Sequence, residues 1–441
     1  MGRPFLTSIL IPHKSRRFHH LRLRLTVIIL LALLFQQQYL FHVHRQSLAA
    51  KYSATKFDGD IETSRLQSWR LEDEDVAFQH DLLANREKWE VLGEGWEGKV
   101  FVYGDSVIKT FTPSRSPFRN CAPSSIGGKW PTEIAASLMV NHHSMRFGGH
   151  DITQNHSGSP PETRSCTALH GFVSVKAYFQ APSLQDTGPE WYLVTELIKG
   201  GSLRTLSRRV AQGSQARTYR ELDARFRSAF ESLVINLGQL HRAGYCHDDI
   251  KPGNIFTDDV NWLLGDLGNL RQVSHPYHSS RLWLRDNEQL EDCRANDVIR
   301  TLKSYMQFIR MTASDTPRFD EEFYEGRQPL HKLFHQASSN AESLTATHLL
   351  QISRAFDAEN PDEPLAIDQI SDELWGSLPP SLLGFFSRKL ALGIAVNDAL
   401  RTRIGEKMAR FYAMTWVFGV PVLDLCYEPV PAEIMQCDLL S

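Results

Sequence analysis

The chain has 441 residues, 42% of them hydrophobic and 22% charged, enough for one large domain or two of ordinary size with buried cores. Its net charge of −3 is unevenly laid out: residues 1–57 carry nine Lys/Arg and no acid, leaving 39 bases against 51 acids, or −12, on the remainder. A body that acidic excludes the electrostatic footprint of a nucleic-acid binder, and no internal repeat or low-complexity tract is visible.

The first element is an apolar run, "LTVIILLALLF" (25–35), preceded by Lys14, Arg16, Arg17, Arg22 and Arg24. Extended through "QQQYLF" it covers residues 25–41, near the lower limit for a bilayer span. No small-residue cleavage site follows closely, so the expected element is an uncleaved signal-anchor. The basic flank would keep the N-terminus cytoplasmic and send the body to the lumen. A mitochondrial transit peptide and a basic tail on a cytosolic enzyme stay open as alternatives, and the sequon Asn155-His156-Ser157 fits an exported loop. Residues 58–88 read as a polar linker or short lead-in helix, with the folded body starting near Trp89. The six cysteines (121, 166, 246, 293, 426, 437) show neither CxxC nor metal-ligand spacing and read as buried or incidental thiols. An exported body would allow up to three disulfides whose pairing the sequence does not choose.

The body opens with "VLGEGWEGKVFVYGDSVIKTF" (91–111). Gly93, Gly95 and Gly98 form G-x-G-x-x-G, followed by Val100 and β-type alternation instead of the helix a dinucleotide fold requires. The expected structure is a hairpin whose glycine amides close over phosphates. Its second strand runs through Val107 to Lys109, the candidate lysine for α- and β-phosphates. "WPTEIAASLMV" (130–140) begins a helix with Glu133 in its first turn, where a carboxylate suits the macrodipole and is also placed to pair with Lys109. An insertion, 141–171, holds His142, His143 and His150 and reads as a solvated loop, not a metal site. "EWYLVTELIKGGSLRTL" (190–206) reads as strand, hinge and helix, with the backbone of Glu196 and Ile198 as candidate adenine contacts and Thr195 at the back of the pocket.

A long helical pattern (220–244) then leads into "YCHDDIKPGNIF" (245–256), where His247, Asp249, Lys251 and Asn254 keep the spacing H-x-D-x-K-x-x-N. Phosphoryl transfer asks chiefly for positioning and charge neutralisation. One carboxylate takes the proton of the attacking hydroxyl, a lysine two residues on screens the phosphoryl group, and an amide five residues on binds a metal. "NWLLGDLGNL" (261–270) ends a strand in Gly265-Asp266-Leu267-Gly268, with Asp266 as second metal ligand.

These five stretches, in this order, resemble the eukaryotic-type protein kinases over residues 89–310. The resemblance implies an α+β, two-lobed fold, with a β-rich small lobe over 89–197 and a helical large lobe over 198–441, and ATP with Mg²⁺ between them. It implies Lys109 and Glu133 as an ion pair, Asp249 as base, Lys251 beside it, Asn254 and Asp266 as metal ligands, and Asp297 as the brace of the catalytic loop. The implied partner is a protein carrying a Ser/Thr hydroxyl. There are departures. Asp248 stands where many members have an arginine that gathers a phosphorylated activation segment, so control by such a phosphate is not expected here. Trp96 and Glu97 take the tip of the glycine loop, Val107 replaces the usual alanine, and no Ala-Pro-Glu follows Gly268. A pseudokinase and a small-molecule kinase of the same fold are the alternatives; Lys251 speaks against the second, and the retained phosphate and metal groups speak against the first. The C-terminal third (311–441) reads as helical and structural, without chemistry of its own.

Overall fold

The computed structural model describes residues 14–57, 73–95, 98–112, 120–123, 129–145, 171–182, 189–213, 217–258, 261–356, 384–402 and 404–414. Trp96, Glu97, the sequon at Asn155 and most of the 141–171 insertion lie outside them. A long helix, α1 (Lys14–Lys51), is followed by α2 (Asp73–Ala84). In the small lobe come β1 (Glu90–Glu94), β2 (Lys99–Tyr103), β3 (Ser106–Phe111), the ribbon β4 (Cys121–Pro123) and β5 (Lys129–Pro131), then α3 (Thr132–Met145), β6 (Val175–Pro182) and β7 (Pro189–Glu196). Five of these strands form one antiparallel sheet in the order β1-β2-β3-β7-β6.

Alternation along the strands divides the sheet between two cores. One face packs Phe101, Ile108, Phe179 and Tyr192 with Trp89 and with Leu82 of α2, Phe179 and Tyr192 stacking at 5.2 Å. On the other, Phe111 and Leu193 meet Trp130, Ile134 and Leu138. That second contact fixes α3 against the sheet and so aims its first turn, with Glu133, at β3.

The large lobe holds α4 (Leu203–Ala211), α5 (Tyr219–Arg242), β8 (Tyr245–Cys246), β9 (Ile255–Thr257), β10 (Trp262–Leu264), β11 (Arg271–Gln272), α6 (Cys293–Thr312), α7 (Thr316–Glu325), α8 (Pro329–Ser339), α9 (Ala346–Ala355), α10 (Gly384–Ala399) and α11 (Lys407–Met414). Thr218 and Glu221 start α5 with a reciprocal capping box. Helices α5 and α6 bury Phe226, Phe230, Tyr305 and Phe308 around Trp262, with Phe230 and Tyr305 stacked at 4.4 Å. This mixed architecture fits the expected two-lobed, kinase-like fold.

Helix α1 changes character along its length. From Leu21 to Phe35 every leucine, isoleucine, valine and phenylalanine is exposed. From Phe41 onward Phe41, His44, Leu48, Tyr52 and Thr55 are buried, three or four residues apart, as on one face of a helix and its continuation. This stripe packs on the large lobe, where Leu48 and Tyr52 join Tyr277, Leu282, Trp283, Ala409 and Ala413. The sequence reading starts the packed body near Trp89; the structure adds residues 41–57, because a stripe mixing His, Ser and Lys with apolar residues is inconspicuous beside the run before it. Among the described residues, the stretch His20–Lys51 is long and apolar enough to cross a membrane.

Candidate active site

Strand β3 carries Lys109 into the cleft between the lobes. Its Nζ is paired with the Glu133 carboxylate and lies 3.1 Å from Asp266 Oδ1, so one ammonium joins α3 to the segment after β10. Gly98 is required by packing: a Cβ there would overlap the Thr110 carbonyl on β3. Gly95 N–H donates to the Gly98 carbonyl at 2.8 Å, closing the tip of the β1–β2 loop. Asp266 adopts the left-handed conformation (φ 57°, ψ 61°), which aspartate tolerates better than most residues. The Lys109 ammonium, aided by Lys251 and opposed by burial, holds the Asp266 carboxyl down to about 2.

The candidate catalytic loop is held from below by α6. Asp297, fully buried, accepts the backbone N–H of His247 at 2.6 Å and of Asp248 at 3.0 Å. The Asp249 N–H donates to His247 Nδ1 at 3.3 Å, so Nε2 carries the proton it donates to the Gly265 carbonyl at 3.1 Å. Gly265 N–H in turn donates to the Asn254 carbonyl at 3.0 Å, tying the loop to the segment of Asp266. Around Asp249, Lys251 Nζ stands 2.7 Å from Oδ2, Asn254 Nδ2 3.2 Å from the same oxygen, and Arg300 3.6 Å from Oδ1. The carboxylate is oriented on three sides yet stays open to the cleft.

Asp248 points elsewhere. Its φ of 62° turns it out of line with Asp249, and its buried carboxylate receives Arg271 at 3.1 Å and His278 at 2.9 Å. Burial works to raise the Asp248 pKa, but His278 and Arg271 outweigh it and the net shift is downward. Reciprocally, burial opposes charge on His278, but Asp248 prevails and its pKa is raised. Arg271 also reaches the carbonyl of Asn269 at 2.8 Å and Asn120 Oδ1 at 2.7 Å, and lies over the Tyr277 ring. Where an arginine would gather a phosphate, a carboxylate gathers an arginine and a histidine of the segment itself.

The structure also corrects the reading of the cysteines. Cys246 and Cys293 form a disulfide, because the turn before the candidate catalytic loop lands on the first residue of α6. The bond lies buried beside His247 and joins the loop to the helix that bears Asp297 and Arg300.

A cavity of about 1030 Å³ joins these features. Gly95, Gly98, Val100, Lys109, Asp249, Lys251 and Asp266 line one part of it, and Lys51, Tyr52, Arg271, Tyr277, Glu406 and Arg410 form a second part that adjoins Asp249 through Lys51. Lys51 is paired with Glu406, and Tyr52 donates to Glu406 at 2.8 Å. Sequence reasoning missed this second group entirely, and treated the C-terminal segment that supplies Glu406 and Arg410 as free of chemistry. Of the residues expected at the site, Glu133 and Asn254 stand behind the wall, bonded to Lys109 and Asp249. Gly93, Val107, Glu196 and Ile198 lie outside the lining. Val107 pairs with Thr195 across β3 and β7, and the Glu196 N–H is taken by the Ser174 carbonyl at 3.1 Å.

Asn254 and Asp266 suit a hard divalent cation such as Mg²⁺, which prefers oxygen donors. Because Asn254 spends its amide N–H on the carbonyl (3.0 Å) and carboxylate of Asp249, its oxygen is turned away from Asp249. A bound cation would neutralise phosphate charge; the chain's own part is to hold these two side chains.

No protein-family model matches the chain. Over 88 residues, 20% of this chain, it is 36% identical to a probable serine/threonine-protein kinase of Dictyostelium discoideum. The chain spans about 6% of that protein's length. The likeness is to a kinase, over part of the chain.

Proposed function

We propose that the chain is an ATP-dependent phosphotransferase that moves the γ-phosphoryl group of ATP to a Ser/Thr hydroxyl of a protein. The observation that carries the reading is the convergence of Lys109, Asp249, Lys251 and Asp266 on one cavity, with Glu133 and Asn254 fixing them. Lys109 would hold the α- and β-phosphates, Asn254 and Asp266 the Mg²⁺, Lys251 would screen the transferred group, and Asp249 would take the hydroxyl proton. The disulfide and the basic flank before the apolar helix both support a body on the oxidising, non-cytoplasmic side of a membrane. One observation favours a second reading, a kinase of a small polar acceptor: the same cavity is lined by Lys51, Tyr52, Tyr277 and Glu406, polar groups suited to a small hydroxylated acceptor.

The test is transfer from labelled ATP into cell extract by the full chain, with protein and small-molecule products separated. Asp249→Asn should lower transfer about 10²- to 10⁴-fold while nucleotide-induced thermal stabilisation persists. Equal transfer by the two forms would remove Asp249 from the role of base. Label found only in small molecules would establish the second reading.

A further inference from the structure

Helix α1 ties two environments together. Its exposed half presents leucine, isoleucine and phenylalanine on every side, with Leu23 at 61%, Ile28 at 60% and Phe35 at 73% exposure. A helix bound to protein along one face would show an apolar stripe and a polar remainder; a helix apolar all round is matched by hydrocarbon. Arg22 and Arg24 lie at the start of this half, at the basic flank of the apolar run, and three glutamines, 36–38, close it. The other half is part of the body. Phe41 and Leu48 are buried, Tyr52 and Arg410 share a hydrogen bond, and Lys51 pairs with Glu406 in the wall of the active-site cavity.

We infer that the apolar half of α1 is embedded in a lipid bilayer, and that its unbroken continuation into the cavity wall fixes the cleft at the membrane surface. This rests on the proposed phosphotransferase only for the nature of the reaction. The helix is continuous from Lys14 to Lys51, and at 1.5 Å per residue the path from Phe35 to Lys51 is about 24 Å. The cleft is therefore held within roughly 25 Å of the bilayer on which the enzyme sits. Removal of α1 as a cleaved leader would strip Phe41 and Leu48 from a packed interface, so the helix is a retained structural member of the body.

The experiment uses the full chain in phosphatidylcholine vesicles containing a headgroup-labelled fluorescent lipid. A dye is attached through a non-natural amino acid in place of Arg401, which is exposed and lines the cavity. A fluorescent ATP analogue, titrated separately, reports on nucleotide binding. The expected result is co-flotation with vesicles and strong energy transfer from position 401 to the lipid dye. A Gly/Ser insertion of ~20 residues between Gln38 and Tyr39, with a mean span of about 25 Å, should preserve flotation and weaken the transfer several-fold. Failure to float, or transfer unchanged by the insertion, would overturn the inference. Transfer that behaves as expected beside a cleft that binds no nucleotide would sink the phosphotransferase reading and leave the membrane placement standing.

Discussion

At the proposed nucleotide end of the cleft, Lys109, Asp249, Lys251, Asn254 and Asp266 come from short stretches whose spacing is visible in the chain. At the far end, partners such as Tyr52 and Arg410 stand 358 residues apart and meet only in the folded lobe. The ends also differ in exposure. Lys109 and Asp266 keep 25% and 37% of their side-chain surface, whereas Asp248 and Arg271 keep 1% and 2%. Charges left in water can rearrange around a substrate; charges buried in pairs cannot be separated cheaply. The first end is thus suited to binding and release, the second to holding a fixed shape.

The largest expected effect breaks the first end alone. Lys109→Met removes the cation that joins Glu133 to Asp266 and should reduce turnover about 10²- to 10³-fold, with weaker stabilisation by ATP. Because it also takes the Lys109 cation from the buried Glu133 carboxylate, the melting temperature without nucleotide should fall by a few degrees. A collapse in melting temperature would show that the two ends are one cooperative unit.

The second prediction breaks the other end. The Cys246–Cys293 bond closes a loop of 47 residues that contains Asp249, Lys251, Asn254 and Asp266. Chain-entropy arguments assign such a loop about 4 kcal/mol, and Cys246→Ser combined with Cys293→Ser should lower the melting temperature by roughly 10 °C. Calorimetry, with non-reducing peptide mapping of the wild type, measures this directly. Nucleotide affinity should survive at temperatures where the variant is folded, since Lys109 and Glu133 belong to the other lobe. A change below about 2 °C would mean that the packing of α6 under the loop needs no covalent help.

The difference between the ends also explains what the sequence could reveal. Lys109, Asp249, Lys251, Asn254 and Asp266 were legible as a group because the proposed phosphate chemistry demands particular residue types at short spacing, and the β-type residues after Gly98 separated a hairpin from a dinucleotide loop. The two-lobed architecture followed from the same stretches. Asp248 was legible as an oddity but not as a partner, since nothing in "RQVSHPYH" (271–278) distinguishes Arg271 and His278 from loop residues. Lys51 and Glu406 were hidden for a different reason. An ion pair between the end of α1 and the residue before α11 leaves no periodic trace, and the apolar run before Phe41 drew the whole N-terminal segment into one reading. Cys246 and Cys293 show the same limit, because pairing is a property of topology and not of spacing.

The smallest expected effect concerns protons at the Asp248 cluster. His278 has its pKa raised in the folded state by Asp248, so its contribution is fully present below the unfolded value of about 6.5. It is lost as pH rises through the folded value. Asp248, whose pKa is held below the ordinary carboxylate value, stays charged throughout this range. Neighbouring His275 works in the opposite sense. Burial, with help from Arg271, holds it at about 4, and it therefore costs stability as pH falls below about 6.5. Wild type against His278→Gln removes most of the His275 contribution from the comparison, since burial and Arg271 act on His275 more strongly than His278 does. The gap in melting temperature between the two should be widest on the acid side of neutrality and shrink as the solution is made alkaline. A gap that widens with rising pH would show that His278 is neutral in the folded protein. The carboxylate would then hold the segment through Arg271 alone.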